Sequence, residues 1–145
     1  MCLIHFFPFY IEKNYKGEDN EKEFIKFLEE NKNVLWWYKN GDSGSEYFSL
    51  AYYNPNENKE KLFYPDWIIR TKTQTWIIDT KKGSTAEIPD TKHKAEALQD
   101  WLKGKKNFNG GIAVQDGPNG WKLQNSKTYK YSQAFDGWKD LKDLL

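Results

Sequence analysis

Three residues in the middle of the chain have the types and spacing to act on a phosphate ester. Asp66 stands in Tyr64-Pro65-Asp66-Trp67-Ile68-Ile69-Arg70, while Asp79 and Lys81 stand in Trp76-Ile77-Ile78-Asp79-Thr80-Lys81. Each run is rich in Ile, Trp and Tyr and bounded by polar residues, so each reads as a β-strand, with the Thr/Lys/Gln segment between them as a hairpin connection. If Ile69 pairs with Trp76, antiparallel counting sets Asp66 opposite Asp79, and alternation puts Asp79 and Lys81 on one face. Like charges opposed in a sheet are unfavourable by roughly 0.2–1 kcal/mol when exposed, and by far more away from water. A hard divalent cation removes that conflict, since Mg²⁺ is held by one or two carboxylates and keeps waters for a substrate phosphate. The competing reading makes Asp66 a turn cap after Pro65 and leaves Asp79 and Lys81 as a solvated ion pair.

A phosphodiesterase uses such a set with the carboxylates on Mg²⁺ and a nearby ammonium offsetting charge at the phosphorus centre. Lys81 between carboxylates stays protonated, because opposite charges favour its charged form. Its expected role is electrostatic stabilisation or water positioning, with general base second. The backbone carbonyl of Thr80 offers one more metal ligand while its side chain faces the other way.

These strands need elements to hold them, and helical periodicity lies on both sides. Glu21-Lys22-Glu23-Phe24-Ile25-Lys26-Phe27-Leu28-Glu29-Glu30 reads as a helix with Asn20 or Asp19 as N-cap and acids suited to the dipole in its first turn. Phe24, Ile25, Phe27 and Leu28 make one apolar face; on a ~100° step Glu21 lies about 40° from its centre and Glu23 about 120° away. Glu21 therefore points inward, as a capping-box partner or as a ligand, and Glu23 points outward. Residues 34–38 and 46–53 read as strands, residues 39–45 as a turn and residues 54–61 as a polar loop.

Past Lys81, residues 92–102 read as a helix whose buried stripe is Ala95, Leu98, Trp101 and Leu102. Lys94 stands beside that stripe, where it either reaches a phosphate or snorkels to solvent. Lys82 adds a second basic residue next to the proposed site. Residues 108–115 form a strand, residues 116–120 a turn and residues 121–124 a returning strand. The tail from about 133 to 145 carries Phe135, Trp138, Leu141, Leu144 and Leu145 and reads as an amphipathic helix capping the domain.

Composition bounds the rest. The 145 residues are 17% aromatic, with seven Trp, and 30% charged, which suits a chain that buries large rings under a heavily charged surface. No repeat, linker or low-complexity tract divides it, so residues 1–145 read as one domain with a core over about 20–115. A formal net charge of +1 makes no global electrostatic case for nucleic acid, leaving only local lysine clusters. The lone Cys2 has no disulfide partner and no Cys/His pattern suggests zinc. Residues 1–10 are apolar, too short to span a bilayer and without a cleavage site, and read as a packed strand in which His5 is structural. A cytoplasmic chain with no membrane contact is expected.

The same residues carry a resemblance. Pro65-Asp66 followed by Asp79-Thr80-Lys81 resembles the signature of the PD-(D/E)XK nuclease superfamily. Trp36-Trp37-Tyr38-Lys39-Asn40, Tyr64-Pro65-Asp66-Trp67-Ile68 and Ile78-Asp79-Thr80-Lys81-Lys82-Gly83 are similar to the C-terminal nuclease region of type III restriction enzyme Res subunits, over roughly residues 20–105. The resemblance implies an α/β (α+β) fold with a mixed central sheet flanked by helices in αβββαβ order. It also implies Mg²⁺-dependent endonuclease action on DNA, with Mn²⁺ as a substitute. Asp66, Asp79 and Glu21 would hold metal, with Lys81 as the catalytic lysine. Asp79 stands where Glu is more frequent, which preserves the charge. No Gly-rich phosphate loop with Lys-Ser or Lys-Thr is present, so the chain is expected to be a fragment or free-standing relative that works with a separate helicase/ATPase domain and a methylation subunit. The alternative is a non-catalytic module of the nuclease fold that binds DNA or a partner protein.

Overall fold

Alternating large apolar residues build a six-stranded sheet with a helix layer on each face. The structure, a computed structural model, describes residues 19–118 and 120–145. The elements are α1 (Asp19–Glu30), β1 (Val34–Lys39), β2 (Leu50–Asn54), β3 (Lys59–Phe63), β4 (Trp67–Thr71), β5 (Thr75–Lys81), α2 (Gly83–Ala86), α3 (Pro89–Leu102), β6 (Phe108–Gln115), β7 (Trp121–Gln124), β8 (Lys139–Asp140) and α4 (Leu141–Leu144). The sheet runs β1-β4-β5-β6-β7-β8. Only β5 and β6 are parallel, joined through α2 and α3, so the fold is mixed α/β around a mixed central sheet. The apolar strand expected for residues 1–10 lies outside the described residues.

The β4–β5 hairpin has the anticipated register, with Ile69 opposite Trp76. On one face, Phe24, Ile25 and Leu28 of α1 pack with Trp37, Trp67, Ile69, Ile78 and Trp121. On the other, Ile77 meets Leu98 and Leu102 of α3 together with Leu50, Tyr52 and Phe63. With both faces covered, β5 is buried without a break from Trp76 to Thr80, the polar Asp79 and Thr80 included. Gly110 and Gly111 allow this close stacking of strands. A Cβ there would stand 2.1 Å from the Ile77 carbonyl oxygen and 1.9 Å from that of Gln124, respectively.

Four expectations need correction. The strand foreseen over residues 46–53 begins only at Leu50, because the buried Asn40 side chain takes both backbone groups of Phe48: its amide accepts from the Phe48 N–H and donates to the Phe48 carbonyl. The supposed loop over residues 54–61 includes the first residues of β3, which pairs with β2 as a separate two-stranded hairpin. Most of β3 is exposed and charged, so it lacks the apolar alternation that marks a strand. Asp19 and Asn20 sit inside the first turn of α1 rather than capping it.

The fourth concerns the tail, which is not one capping helix. Phe135 at φ 56° and Gly137 at φ 82° are left-handed and break it, and only Leu141–Leu144 is helical. Its apolar residues divide between two places: Phe135 and Trp138 stack with Tyr131, while Leu141 joins the core beneath α1.

Phe24 ties α1 to the sheet, fully buried with its ring centroid 5.2 Å from that of Trp67 and 4.8 Å from that of Trp121. Phe24→Ala should lower the free energy of urea unfolding by about 3–5 kcal/mol. A loss below about 1 kcal/mol would mean that α1 docks by other contacts.

Candidate functional site

At the end of the hairpin the two aspartates are locked crosswise. The Asp66 backbone N–H donates to Asp79 Oδ1 at 3.1 Å, and the Thr80 N–H and hydroxyl donate to Asp66 Oδ2 at 3.0 and 2.9 Å. Each carboxylate therefore keeps one oxygen anchored by backbone and turns the other toward a lysine. Asp79 Oδ2 lies 2.9 Å from Lys81 Nζ but accepts no aligned hydrogen bond, and Asp66 Oδ1 lies 3.5 Å from Lys39 Nζ. Asp79 is 2% exposed, whereas the Asp66 side chain is 22% exposed at the rim.

α1 closes the other side. Glu21 faces inward and meets Lys39 Nζ at 3.3 Å through Oε2, while Glu23 is exposed. Asn20, Glu21, Asp66, Thr80, Lys81, Lys82 and Thr85 line a cleft of about 240 Å³. The site thus draws on both faces of the sheet, with α1 from one side and the Asp79/Lys81 face from the other.

Electrostatics follow from burial and crowding. Burial first, and the Asp79 charge second, push the Asp66 carboxyl up to about 7, against the partial relief given by Lys39, Thr80 and Lys81. For Lys81, burial pulls downward, but Asp79 and then Asp66 outweigh it and hold the ammonium above its ordinary value. Lys81 is therefore a fixed positive charge at neutral pH.

Asp66, Asp79, Lys81, Glu21 and Lys82 all come to this one place. Two expectations do not hold. The Thr80 side chain does not turn away: its hydroxyl donates to Asp66 and accepts from the Trp67 indole at 3.1 Å. Lys94 does not line the cleft but pairs with Asp90 at 3.1 Å beneath the β2–β3 hairpin, over the rings of Tyr52 and Phe63.

Two site residues escaped assignment from spacing. Lys39 bridges Glu21 and Asp66, and Asn40 fixes Asp66 by donating its N–H to the Asp66 carbonyl at 2.7 Å and its side-chain amide to the Pro65 carbonyl at 2.9 Å. The pair Lys39-Asn40 directly after an apolar strand was the available signal. Its meaning depends on β1 pairing with β4, which is not a local feature.

The oxygens gathered here are hard donors of the kind Mg²⁺ selects. One of them, Asn20 Oδ1, is buried and accepts no hydrogen bond, which a cation would remedy, whereas Asp79 Oδ2 faces the Lys81 ammonium. Among the described residues no three His, Cys, Asp or Glu side chains form a preformed cage, but Mg²⁺ needs only one or two carboxylates. The donor set fits. Among the described residues no helix is long and apolar enough to cross a membrane. In comparisons with known proteins, no family profile, no curated protein and no solved structure matches this chain.

The Asp66 shift has a signed consequence. The folded protein retains a proton that the unfolded chain, with an ordinary value of 3.8, has released, so stability is full below about pH 4 and falls as pH rises toward 7. In chelator, wild type should lose on the order of 2 kcal/mol relative to Asp66→Asn between pH 4.5 and 8. Parallel urea-stability curves for the two proteins would show that Asp66 titrates normally.

Proposed function

We propose that this chain is a metal-dependent nuclease that hydrolyses phosphodiester bonds of DNA, in the manner of the PD-(D/E)XK endonucleases it resembles. The observation that carries the reading is the crosswise lock of Asp66 and Asp79, with Lys81 paired at 2.9 Å to the outward Asp79 oxygen. The element order supports it too: within the main sheet it runs α1, β1, β4, β5, α3, β6, an αβββαβ sequence into which the β2–β3 hairpin is inserted.

Asp66 and Asp79 would hold Mg²⁺, with Glu21 and the Asn20 carbonyl as neighbouring oxygens. The bound ion would supply Lewis-acid stabilisation of charge developing at the phosphate. Lys81 contributes a preorganised ammonium beside that charge, at no reorganisation cost during reaction. Lys82, exposed at the rim, is placed to meet the flanking phosphate backbone. Its contact adds affinity without sequence preference.

A second reading, a nuclease-fold module that binds DNA without cutting it, is favoured by one observation. Lys39 already neutralises Glu21 and Asp66 without any metal.

Supercoiled plasmid incubated with Mg²⁺ or Mn²⁺ should be nicked, and Asp79→Ala should slow nicking by about 100-fold or more. Equal nicking by both proteins would sink the assignment. Metal-independent DNA binding with no cleavage of any substrate would select the module.

A further inference from the structure

Lys39 pairs with acids from α1 and from the segment before β4, and its surroundings suit exchange. Its Nζ lies 3.3 Å from Glu21 Oε2 on α1 and 3.5 Å from Asp66 Oδ1 beside β4, the place between helix and sheet that a bridging metal would take. We infer that Lys39 is a resident cation that holds the metal position between Glu21 and Asp66, and that it withdraws when a divalent ion enters. The inference rests on the metal-dependent reading above.

An ammonium and a divalent ion cannot share these oxygens. Mg²⁺ sits about 2.0–2.1 Å from its ligands, so Lys39 Nζ would be left within a few Å of a doubly charged ion, with a repulsion of several kcal/mol even at an effective dielectric constant of about 20. The Asp66 carboxylate is a fixed partner, because its Oδ2 is held by the Thr80 N–H, as Asp79 Oδ1 is by the Asp66 N–H. Lys39 is the movable one. Its backbone is paired with Trp67 in the β1–β4 ladder, so withdrawal is a rotation of its flexible stem and needs no strand movement. Two fallback partners are already in reach: the Asn40 carbonyl at 3.2 Å and the Trp67 ring, whose centroid is 5.4 Å away. Lys81 differs, since among the described residues the carboxylate it pairs with directly is Asp79.

Displacement predicts that metal exposes an amine. Wild-type protein is treated with an amine-acetylating ester in chelator, then with saturating Ca²⁺ or Mn²⁺, and acetylation of Lys39 is followed by peptide mass spectrometry, with the exposed Lys59 as internal reference. Lys39 acetylation should rise severalfold on metal addition in wild type and not in Asp79→Ala. By calorimetry, Lys39→Met should bind Mn²⁺ about tenfold more tightly than wild type. If Mn²⁺ binds in an Asp79-dependent way while Lys39 stays equally protected, displacement is overturned and the nuclease reading stands. Absence of Asp79-dependent binding overturns both. The labelling arm leaves Lys39 itself unaltered, so it decides the matter even if Lys39→Met folds poorly.

Discussion

Two carboxylates share the end of one hairpin, and the structure around them is arranged to tolerate their repulsion. Unit charges about 4 Å apart repel by about 4 kcal/mol at an effective dielectric constant of 20, a large fraction of a small domain's stability. Burial first, and this repulsion second, raise the Asp66 carboxyl. What offsets the repulsion is specific: N–H donors crossing from each strand to the other's carboxylate, and one lysine on each outward oxygen. A fold selected only for stability gains little from such a pair, since apolar residues of similar size would avoid the conflict.

Much of this was legible because the informative signals were local. Ile, Trp and Tyr on both sides of a short polar turn set the hairpin register, and counting along it brings Asp66 to Asp79. A helical step separated inward Glu21 from outward Glu23 without any knowledge of what α1 packs on. The order of strand β5, helix α3 and strand β6 followed from apolar periodicity that changes from strand to helix and back.

What was not legible depended on distant partners. Lys39 and Asn40 read as the start of a turn, and only the β1–β4 pairing across the inserted hairpin turns them into site residues. Phe48 looked like strand, but its backbone groups are claimed by a side chain eight residues earlier. Lys94 had the right type and face yet found a closer acid in Asp90, which also binds Tyr52 and Asn54 and so fastens α3 to the hairpin. In the tail, a spacing of apolar residues that suits one helix instead serves two clusters, because left-handed residues at 135 and 137 redirect the chain between them.

Register explains why these residues converge at all. Lys39, Trp67, Ile78 and Gly111 lie in one row across β1, β4, β5 and β6. The next row toward the sheet end is Asn40, Asp66, Asp79 and Ile112, closed at one end by the Asn40 N–H on the Asp66 carbonyl. A slip of one residue between β1 and β4 would move Asn40 off Asp66 and turn Lys39 to the other face. The one irregularity in that ladder lies between Val34 and Trp36, at the far end of β1, so the pairing from Trp37 to Lys39 is regular where it matters. Because the Lys39 backbone sits one row inside, its ammonium reaches the acids only through its long stem. Asp66 and Asp79 are instead held directly by backbone N–H groups, those of Thr80 and of Asp66. That difference separates the permanent part of the site from the part that can give way.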